Sequence, residues 1–384
     1  MRSLEESFVR VLGELVGINS VNRSLAKGPG EEEISRFVYR YLADQGLKPE
    51  IQSVEEKRTN VVALAPGRNQ RNPVLLNAHL DTVGVEEMAH PFTLRREGDR
   101  LYGRGTYDMK GGMAVMLLLA RHFARKRPPA DIWFTFVADE EDRSMGMEHL
   151  VGKWLPCLPS PPLGGIFLEP TEGQIGVSHK GFVWYEIEVT GKAAHGSRPT
   201  EGIDAILPLK GALQELDRIR SKLEREKPDP LLGRASLHGG LIEGGTAVSV
   251  IPSRSRLRWE RRTLPRESPD TFEEELKRVL QAVRNVPGNH WVDGRIMLVR
   301  PPYEIQRKSR ILRCLQEVSP ESRLVGLSFW ADSALAGRAG VPSLLFGPAG
   351  HGAHAADEWV SLKSLVDVYE TLKRLLTASC WADD

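Results

Sequence analysis

Apolar residues recur with helical spacing in the first fifty residues of the chain. Leu4, Phe8, Val11, Leu12 and Leu15 fall on one face of a helix, and a second segment of the same kind follows. This periodicity predicts two amphipathic helices, near 3–17 and 31–46.

Uninterrupted apolar runs then alternate with helical segments as far as about residue 180. Runs that predict buried strands begin at Thr59, Pro73, Ala130 and Leu163, and a mostly apolar helix is predicted at 110–126. Strands that alternate with helices indicate a largely parallel sheet covered by helices. The same pattern returns after about residue 300, in "VPSLLFGPAG" and "LKSLVDVYETLKRLL".

Between these two parts, residues 181–293 have a different pattern. The predicted order is a half-buried strand, a long polar helix from about 203 to 225, two strands, a second helix and a last strand. This β-α-β-β-α-β order is that of a small ferredoxin-like α+β domain. The sequence therefore predicts an α/β domain with a mostly parallel sheet, made of residues 1–180 and 294–384, into which the smaller domain is inserted.

Composition narrows the class of protein. The 384 residues include 52 basic and 51 acidic side chains, so no basic excess points to a nucleic-acid partner. Cys157, Cys314 and Cys380 lie far apart and form neither a disulfide framework nor a cysteine zinc motif, which favours a reducing compartment. No signal-peptide core and no uncharged run of membrane-spanning length is present. We expect a soluble cytoplasmic protein without nucleic-acid or membrane partners.

A histidine and an aspartate follow the second buried strand. His79 and Asp81 stand two residues apart, so they share one side if the extended conformation continues. Ligands of covered α/β sheets bind beyond the carboxyl ends of the strands. Taken alone, the pair is equally compatible with a hydrogen bond in a turn at the end of a strand.

Other acids and histidines follow the other predicted strands, and Asp108 precedes the apolar helix predicted at 110–126. Each has an ordinary explanation when taken singly, such as a helix cap, a solvated acidic turn or a surface histidine. Together they form a ligand set of imidazoles and carboxylates that suits zinc, and their number favours two metal ions with a shared ligand. The candidates are Asp108, Glu140, Glu141, Glu169, His351, His354 and Glu358.

The motif series resembles that of the co-catalytic zinc amidohydrolases and exopeptidases, the family of acetylornithine deacetylase, succinyl-diaminopimelate desuccinylase, aminoacylase and glutamate carboxypeptidase. The motifs span nearly the whole chain in the family's order: "NAHLDTV", "GRGTYDMKGGMA", "DEE", "LEPT", "GKAAHGSRP" and "GPAGHGAHAADEWV". The resemblance implies a zinc-peptidase catalytic domain and an inserted dimerisation or lid domain. It also implies two Zn²⁺ ions per subunit, with Co²⁺ or Mn²⁺ able to substitute. The implied ligands are His79 and Glu169 for one ion, Glu141 and His354 for the other, and Asp108 as the bridge.

The same resemblance implies catalytic roles. Glu140 is the general base that acts on a metal-bridging water, and Asp81 orients His79. His195, in the inserted domain, stabilises the oxyanion in the active site of a partner subunit of a homodimer, and Arg262 binds the substrate carboxylate. A cis peptide bond is implied between Asp108 and the following methionine.

The expected activity is hydrolysis of the amide bond of a small N-acyl amino acid, of the acetylornithine or succinyl-diaminopimelate type. A dipeptidase or carboxypeptidase of the same family is the alternative, and a non-catalytic zinc-binding protein is a third possibility. Two positions depart from the family pattern: Ser249 stands where asparagine is frequent, and Glu260 stands where aspartate is common. Neither is an expected metal ligand, but the first leaves the substrate open.

Overall fold

The computed structural model describes residues 3–85, 87–378 and 380. The α-helices are α1 (Leu4–Gly17), α2 (Arg23–Ala26), α3 (Glu32–Asp44), α4 (Gly111–Phe123), α5 (Met145–His149), α6 (Leu209–Arg225), α7 (Pro269–Arg284), α8 (Arg310–Val318), α9 (Ser333–Arg338) and α10 (Leu362–Thr377). The strands are β1 (Glu50–Glu55), β2 (Arg58–Ala65), β3 (Asn69–His79), β4 (Arg95–Glu97), β5 (Arg100–Tyr102), β6 (Ala130–Val137), β7 (Gly164–Phe167), β8 (Ile175–His179), β9 (Gly181–Thr190), β10 (Ala194–His195), β11 (Ser236–Gly244), β12 (Val250–Ile251), β13 (Arg254–Thr263), β14 (Trp291–Arg300), β15 (Tyr303–Glu304), β16 (Leu324–Leu327), β17 (Ser343–Leu345), β18 (Gly350–His351) and β19 (Trp359–Ser361).

The chain folds into two compact units. The first consists of Met1–Val177, Ile305–Val325 and Ala331–Asp384, and the second of Ser178–Glu304 and Gly326–Trp330. The second unit therefore interrupts the first, as the sequence pattern indicated. Its main segment extends beyond the limits 181–293 that the sequence predicted, because β14 continues to Arg300 and β15 pairs with the last two residues of β8.

The first unit is built on a mixed sheet with the strand order β1-β2-β6-β3-β7-β17-β8. The central strands β6, β3, β7 and β17 are parallel to one another, and the outer pairs are antiparallel. The apolar runs that predicted these strands are almost entirely buried in the structure. The α/β class with a mostly parallel centre is confirmed, and the parallel centre brings four strand carboxyl ends to one edge.

Helix α4 explains why the first unit has a continuous core. Its residues from Gly111 to Ala120 are all buried, which is typical of a helix that is apolar on every side. It packs against α1, α3, α10 and the central strands. The predicted apolar face of α1 is also buried, and Ser3 begins that helix with a capping box to Glu6.

The second unit contains an antiparallel sheet with the order β11-β13-β9-β14, and α6 and α7 pack together on one of its faces. The predicted β-α-β-β-α-β order is confirmed in β9, α6, β11, β13, α7 and β14. Helix α6 begins at Leu209, later than the predicted residue 203. Asp204 explains the delay, because its carboxylate accepts the amides of Ile206 at 2.7 Å and Leu207 at 3.0 Å and so holds a turn.

Among the described residues, we find no helix with the length and apolar character required to cross a bilayer.

Candidate metal centre

The carboxyl ends of the parallel strands bring the predicted site residues together. His79 is the last residue of β3, Glu140 and Glu141 follow β6, and Glu169 follows β7. Because these strands are parallel neighbours in the sheet, their ends meet at the same edge. The sequence argument that acids and histidines converge at this edge is therefore supported by the strand order.

Asp108 lies between two histidines. Its Oδ1 is 3.1 Å from Nε2 of His79, and its Oδ2 is 3.4 Å from Nε2 of His354. Each histidine also faces a second acid: Nε2 of His79 is 4.0 Å from Oε2 of Glu169, and Nε2 of His354 is 3.0 Å from Oε2 of Glu141. The two oxygens of one aspartate thus point to two separate histidine–carboxylate pairs.

These side chains form two groups of potential metal ligands with one common member. In the first group, His79, Asp108 and Glu169 bring one donor atom each to within 4.8 Å of one another, and in the second, Asp108, Glu141 and His354 do the same. Imidazole nitrogen with carboxylate oxygen is a donor set that zinc accepts. The residues present therefore fit two ions that share Asp108.

Burial of so many carboxylates has an electrostatic consequence. Burial and then the negative charge of Glu169 raise the pKa of Glu140 well above its usual range. Burial raises the pKa of Glu169 itself to about 8, although the neighbouring His79 opposes this. The hydrogen bond to Asp108, followed by that to Glu141, raises the pKa of His354 to about 10. Glu140, Glu169 and His354 thus hold their protons more strongly than usual, because the site is rich in negative charge. A site of this kind also attracts metal cations.

A buried glutamate holds the loop that carries Asp108. Oε1 of Glu358 accepts the amides of Tyr107 at 2.9 Å and Asp108 at 3.0 Å, and its Oε2 accepts the amide of Gly105 at 2.9 Å. Oε2 also accepts Nη1 of Arg104 at 2.7 Å, in an ion pair whose side chains are both 1% exposed. The sequence had grouped Glu358 with the possible ligands, whereas its contacts hold the backbone of the loop. The peptide bond between Asp108 and Met109 is cis, as the resemblance implied.

We predict that Glu358→Gln weakens zinc binding about 10- to 100-fold, because a residue that orients a ligand typically contributes that much. The side-chain NH₂ of glutamine would face backbone N–H groups, which are also donors and cannot bind it. Arg104 would lose the negative charge that it pairs with. Breaking a buried ion pair of this kind costs about 3–5 kcal/mol of stability. Zinc competition with a chromophoric chelator and thermal unfolding of the metal-free protein measure the two effects.

Asp357→Asn is the matched control for this prediction. The Asp357 side chain is 72% exposed and lies 3.8 Å from the exposed His351. Zinc affinity and unfolding temperature close to those of the wild type are expected for this control. Equal zinc affinity in Glu358→Gln and Asp357→Asn would contradict the role of Glu358.

Asp81 contacts the site in more than one way. Its backbone oxygen lies 2.9 Å from Nδ1 of His79, while its carboxylate oxygen Oδ1 is 3.7 Å from the same nitrogen. The carboxylate accepts the amides of Glu140 at 3.1 Å and Glu141 at 3.2 Å. Orientation of His79 by Asp81 stays a prediction, with the backbone oxygen as the nearer partner.

His195 and Arg262, the two remaining candidates, belong to the second unit. His195 ends β10, is exposed, and has its Nδ1 2.8 Å from Oγ of Ser197. Nε of Arg262 donates to Oε1 of Glu260 at 2.7 Å, and its guanidinium carbon lies 5.3 Å from the ring centre of Phe182. The neighbouring Arg261 is buried, because successive side chains of a strand point to opposite faces.

Sequence reasoning missed one acid near this site. Asp332 is 1% exposed and precedes α9. Its charge contributes to raising the pKa values of Glu140 and Glu169. A single aspartate before a short helix is ordinarily a cap, so no local signal in the sequence distinguishes it.

The fold and the donor set together define a metal-dependent hydrolase. The model of Peptidase family M20/M25/M40 matches residues 75–378, and the chain belongs to this family.

Two relatives and one solved structure illustrate the range of similar proteins. The acetylornithine deacetylase of Edwardsiella ictaluri is 26% identical over 97% of this chain and 98% of its own length. A protein of Aspergillus terreus named "Probable carboxypeptidase" is 33% identical over 61% of this chain and 54% of its own length. An M20 family metallo-carboxypeptidase of Sulfolobus solfataricus has a similar fold, with a TM-score of 0.77 at 16% identity, over 98% of this chain and 99% of that one.

Proposed function

We propose that the protein is a di-zinc amidohydrolase that removes the acyl group from a small N-acyl amino acid, of the acetylornithine deacetylase or succinyl-diaminopimelate desuccinylase type. The observation that carries this proposal is the position of Asp108, whose two carboxylate oxygens face two different histidines. A shared carboxylate between two histidine–acid pairs would hold two metal ions side by side, as two-metal hydrolysis needs.

His79 and Glu169 would hold one zinc ion, Glu141 and His354 the other, and Asp108 both. When bound, the two ions supply Lewis-acid polarisation of the substrate carbonyl and favour the deprotonated form of the attacking water. Co²⁺ or Mn²⁺ would fit the same mixed nitrogen and oxygen donors.

Glu140 is the proposed general base. It would take a proton from the attacking water and deliver it to the leaving amine, which is work that a carboxylate with a raised pKa performs well near neutral pH. Its amide is held by Asp81, so its side chain starts from a fixed backbone position. Arg262 would bind the substrate carboxylate through its guanidinium group.

We also propose a homodimer formed through the second unit, in which His195 stabilises the oxyanion in the partner's site. The edge strand β11 supports this, because edge strands readily pair with a second copy and its Leu241 and Ile242 are 55% and 59% exposed. Cys157, Cys314 and Cys380 are all free thiols. Free thiols are typical of a reducing compartment, and we propose the cytoplasm.

Peptide hydrolysis is the second candidate function. It is favoured by the carboxypeptidase names among the relatives and by solved structures of similar fold, which include human carnosine dipeptidase 1 at a TM-score of 0.75. Dipeptidase or carboxypeptidase action would use the same metal ligands and the same Glu140. A non-catalytic zinc-binding role is less well supported, since every proposed catalytic residue is present.

A hydrolysis screen tests the proposal. The zinc- or cobalt-loaded protein is assayed against N-acetylornithine, N-succinyl-diaminopimelate, other N-acyl amino acids and a dipeptide set. Release of a free amino acid from acylated substrates supports deacylation, whereas turnover of dipeptides alone favours the second candidate. Hydrolysis of none of them by the metal-loaded protein would leave the non-catalytic role.

A further inference from the structure

The turn that carries Glu140 and Glu141 begins at a residue with unusual backbone geometry. Asp139 follows β6 with φ of 69° and is fully buried. Residues other than glycine seldom adopt this left-handed conformation, although aspartate does so more readily than most. Because the next two residues enter the site, whatever holds Asp139 also sets the direction of Glu140 and Glu141.

Asn22 connects Asp139 to Asp81. Its Nδ2 donates to Oδ2 of Asp81 at 2.8 Å and to Oδ1 of Asp139 at 3.0 Å. Asp81 in turn accepts the amides of Glu140 and Glu141. The turn is therefore held at two places. Asn22 binds the side chain of its first residue, Asp139, and Asp81 binds the amides of the next two residues.

Arg58 is the first residue of β2 and is 2% exposed. Its guanidinium group brings positive charge close to Asp139. Its Nη1 donates to Oδ1 of Asp139 and to Oε1 of Glu31, the latter at 3.2 Å, and its Nη2 donates to Oγ of Ser24 at 2.7 Å.

Three buried carboxylates surround this guanidinium. Glu31, Asp81 and Asp139 bring one oxygen each to within 4.8 Å of one another. Such a group requires positive charge, and the guanidinium of Arg58 already provides it in contact with two of the three acids. We therefore interpret the cluster as an ion-pair network behind the metal centre.

We propose that Arg58 is a positioning residue for the catalytic turn: by pairing with Asp139 it holds the left-handed backbone from which Glu140 and Glu141 reach the metal centre. The inference rests on the proposed function of these two glutamates. The hydrogen bonds of Arg58 reach Asp139 and Asn22, so it acts through Asp139 and, with Asn22, through the amides bound to Asp81.

Arg58→Lys tests the proposal, because lysine keeps the charge but loses the fork that reaches Asp139, Glu31 and Ser24 together. We expect zinc affinity and kcat to fall about 10- to 100-fold with little change in KM, as for other residues that orient metal ligands. A crystal structure of the metal-free variant should show the amide of Glu140 displaced from Asp81. Zinc affinity and backbone geometry are measured without any substrate. They therefore test the role of Arg58 even if the protein does not hydrolyse N-acyl amino acids.

Arg261→Lys is the matched control. Arg261 is 1% exposed and is likewise held between two glutamates, Glu267 and Glu275, but it belongs to the second unit. It should lose a comparable amount of thermal stability while zinc affinity stays within about twofold of the wild type, because both of its ion pairs lie within the second unit and neither holds the turn of Glu140 and Glu141. Equal loss of zinc affinity in both variants would mean that Arg58 acts only through global stability and would overturn the proposal.

Two further variants keep the test decisive if Arg58→Lys does not fold. Glycine adopts positive φ without strain and alanine does not, so Asp139→Gly should bind zinc about tenfold tighter than Asp139→Ala. If Arg58→Lys does fold, combining it with Asp139→Gly should add little to the effect of Asp139→Gly alone, since the effects of residues that act through one another are not additive. Equal zinc affinity of the glycine and alanine variants would refute backbone positioning.

Discussion

Replacing Glu140 by glutamine is expected to leave both metal ions bound and to reduce kcat by about 10²–10⁴, the usual contribution of a general base. Glutamine has nearly the same shape as glutamate but cannot accept a proton. The amide of residue 140 would still be held by Asp81, so the turn should keep its conformation. The loss should therefore be confined to proton transfer, with KM little changed.

Glu141→Gln provides the contrast that makes this prediction specific. Glu141 is adjacent in sequence, but its carboxylate lies 3.0 Å from His354 and belongs to a ligand group. Its substitution should release metal as well as activity. Metal analysis after dialysis, with kcat and KM for the best substrate of the screen, separates the two variants. Full turnover by Glu140→Gln, or loss of its metal, would contradict the assignment of the base.

The sequence indicated the location of the site because His79, Glu140, Glu141 and Glu169 each end or follow a strand with a clear apolar pattern. Parallel pairing of β3, β6 and β7 brings together the residues at their carboxyl ends. Parallel pairing was itself predicted from the alternation of strands and helices. The motif series implied roles for the individual residues, which periodicity alone cannot supply, and these roles stay predictions. The inserted domain and the convergence of acids and histidines at one edge of the sheet could be predicted from the sequence.

What the sequence could not supply are contacts between residues far apart along the chain. Glu358 holds the Asp108 loop across about 250 residues, and Arg58 reaches Asp139 across 81. An arginine at the start of a strand is an ordinary surface feature, and Glu358, although it lies in the last motif, was grouped with the possible ligands and not with residues that hold a loop. Only burial and hydrogen bonding distinguish them.

Restoration of activity by mixing two inactive variants is the second large effect that we expect. His195→Ala should lose about 10²–10³ in kcat, because an oxyanion donor contributes that much. Glu140→Gln lacks the base but keeps His195. In a mixed dimer, the intact metal site of the His195→Ala chain would receive His195 from its Glu140→Gln partner, and one working site would result.

Equimolar chains that exchange freely should give about a quarter of wild-type activity, since half of the dimers are mixed and each has one complete site. Native mass spectrometry of chains with different tags confirms the exchange. A mixture of Glu140→Gln with Glu141→Gln is the negative control, because both substitutions damage the same metal site and no combination repairs it. If mixed dimers form without any return of activity, His195 does not act across the subunit interface, and the oxyanion donor must come from the same chain.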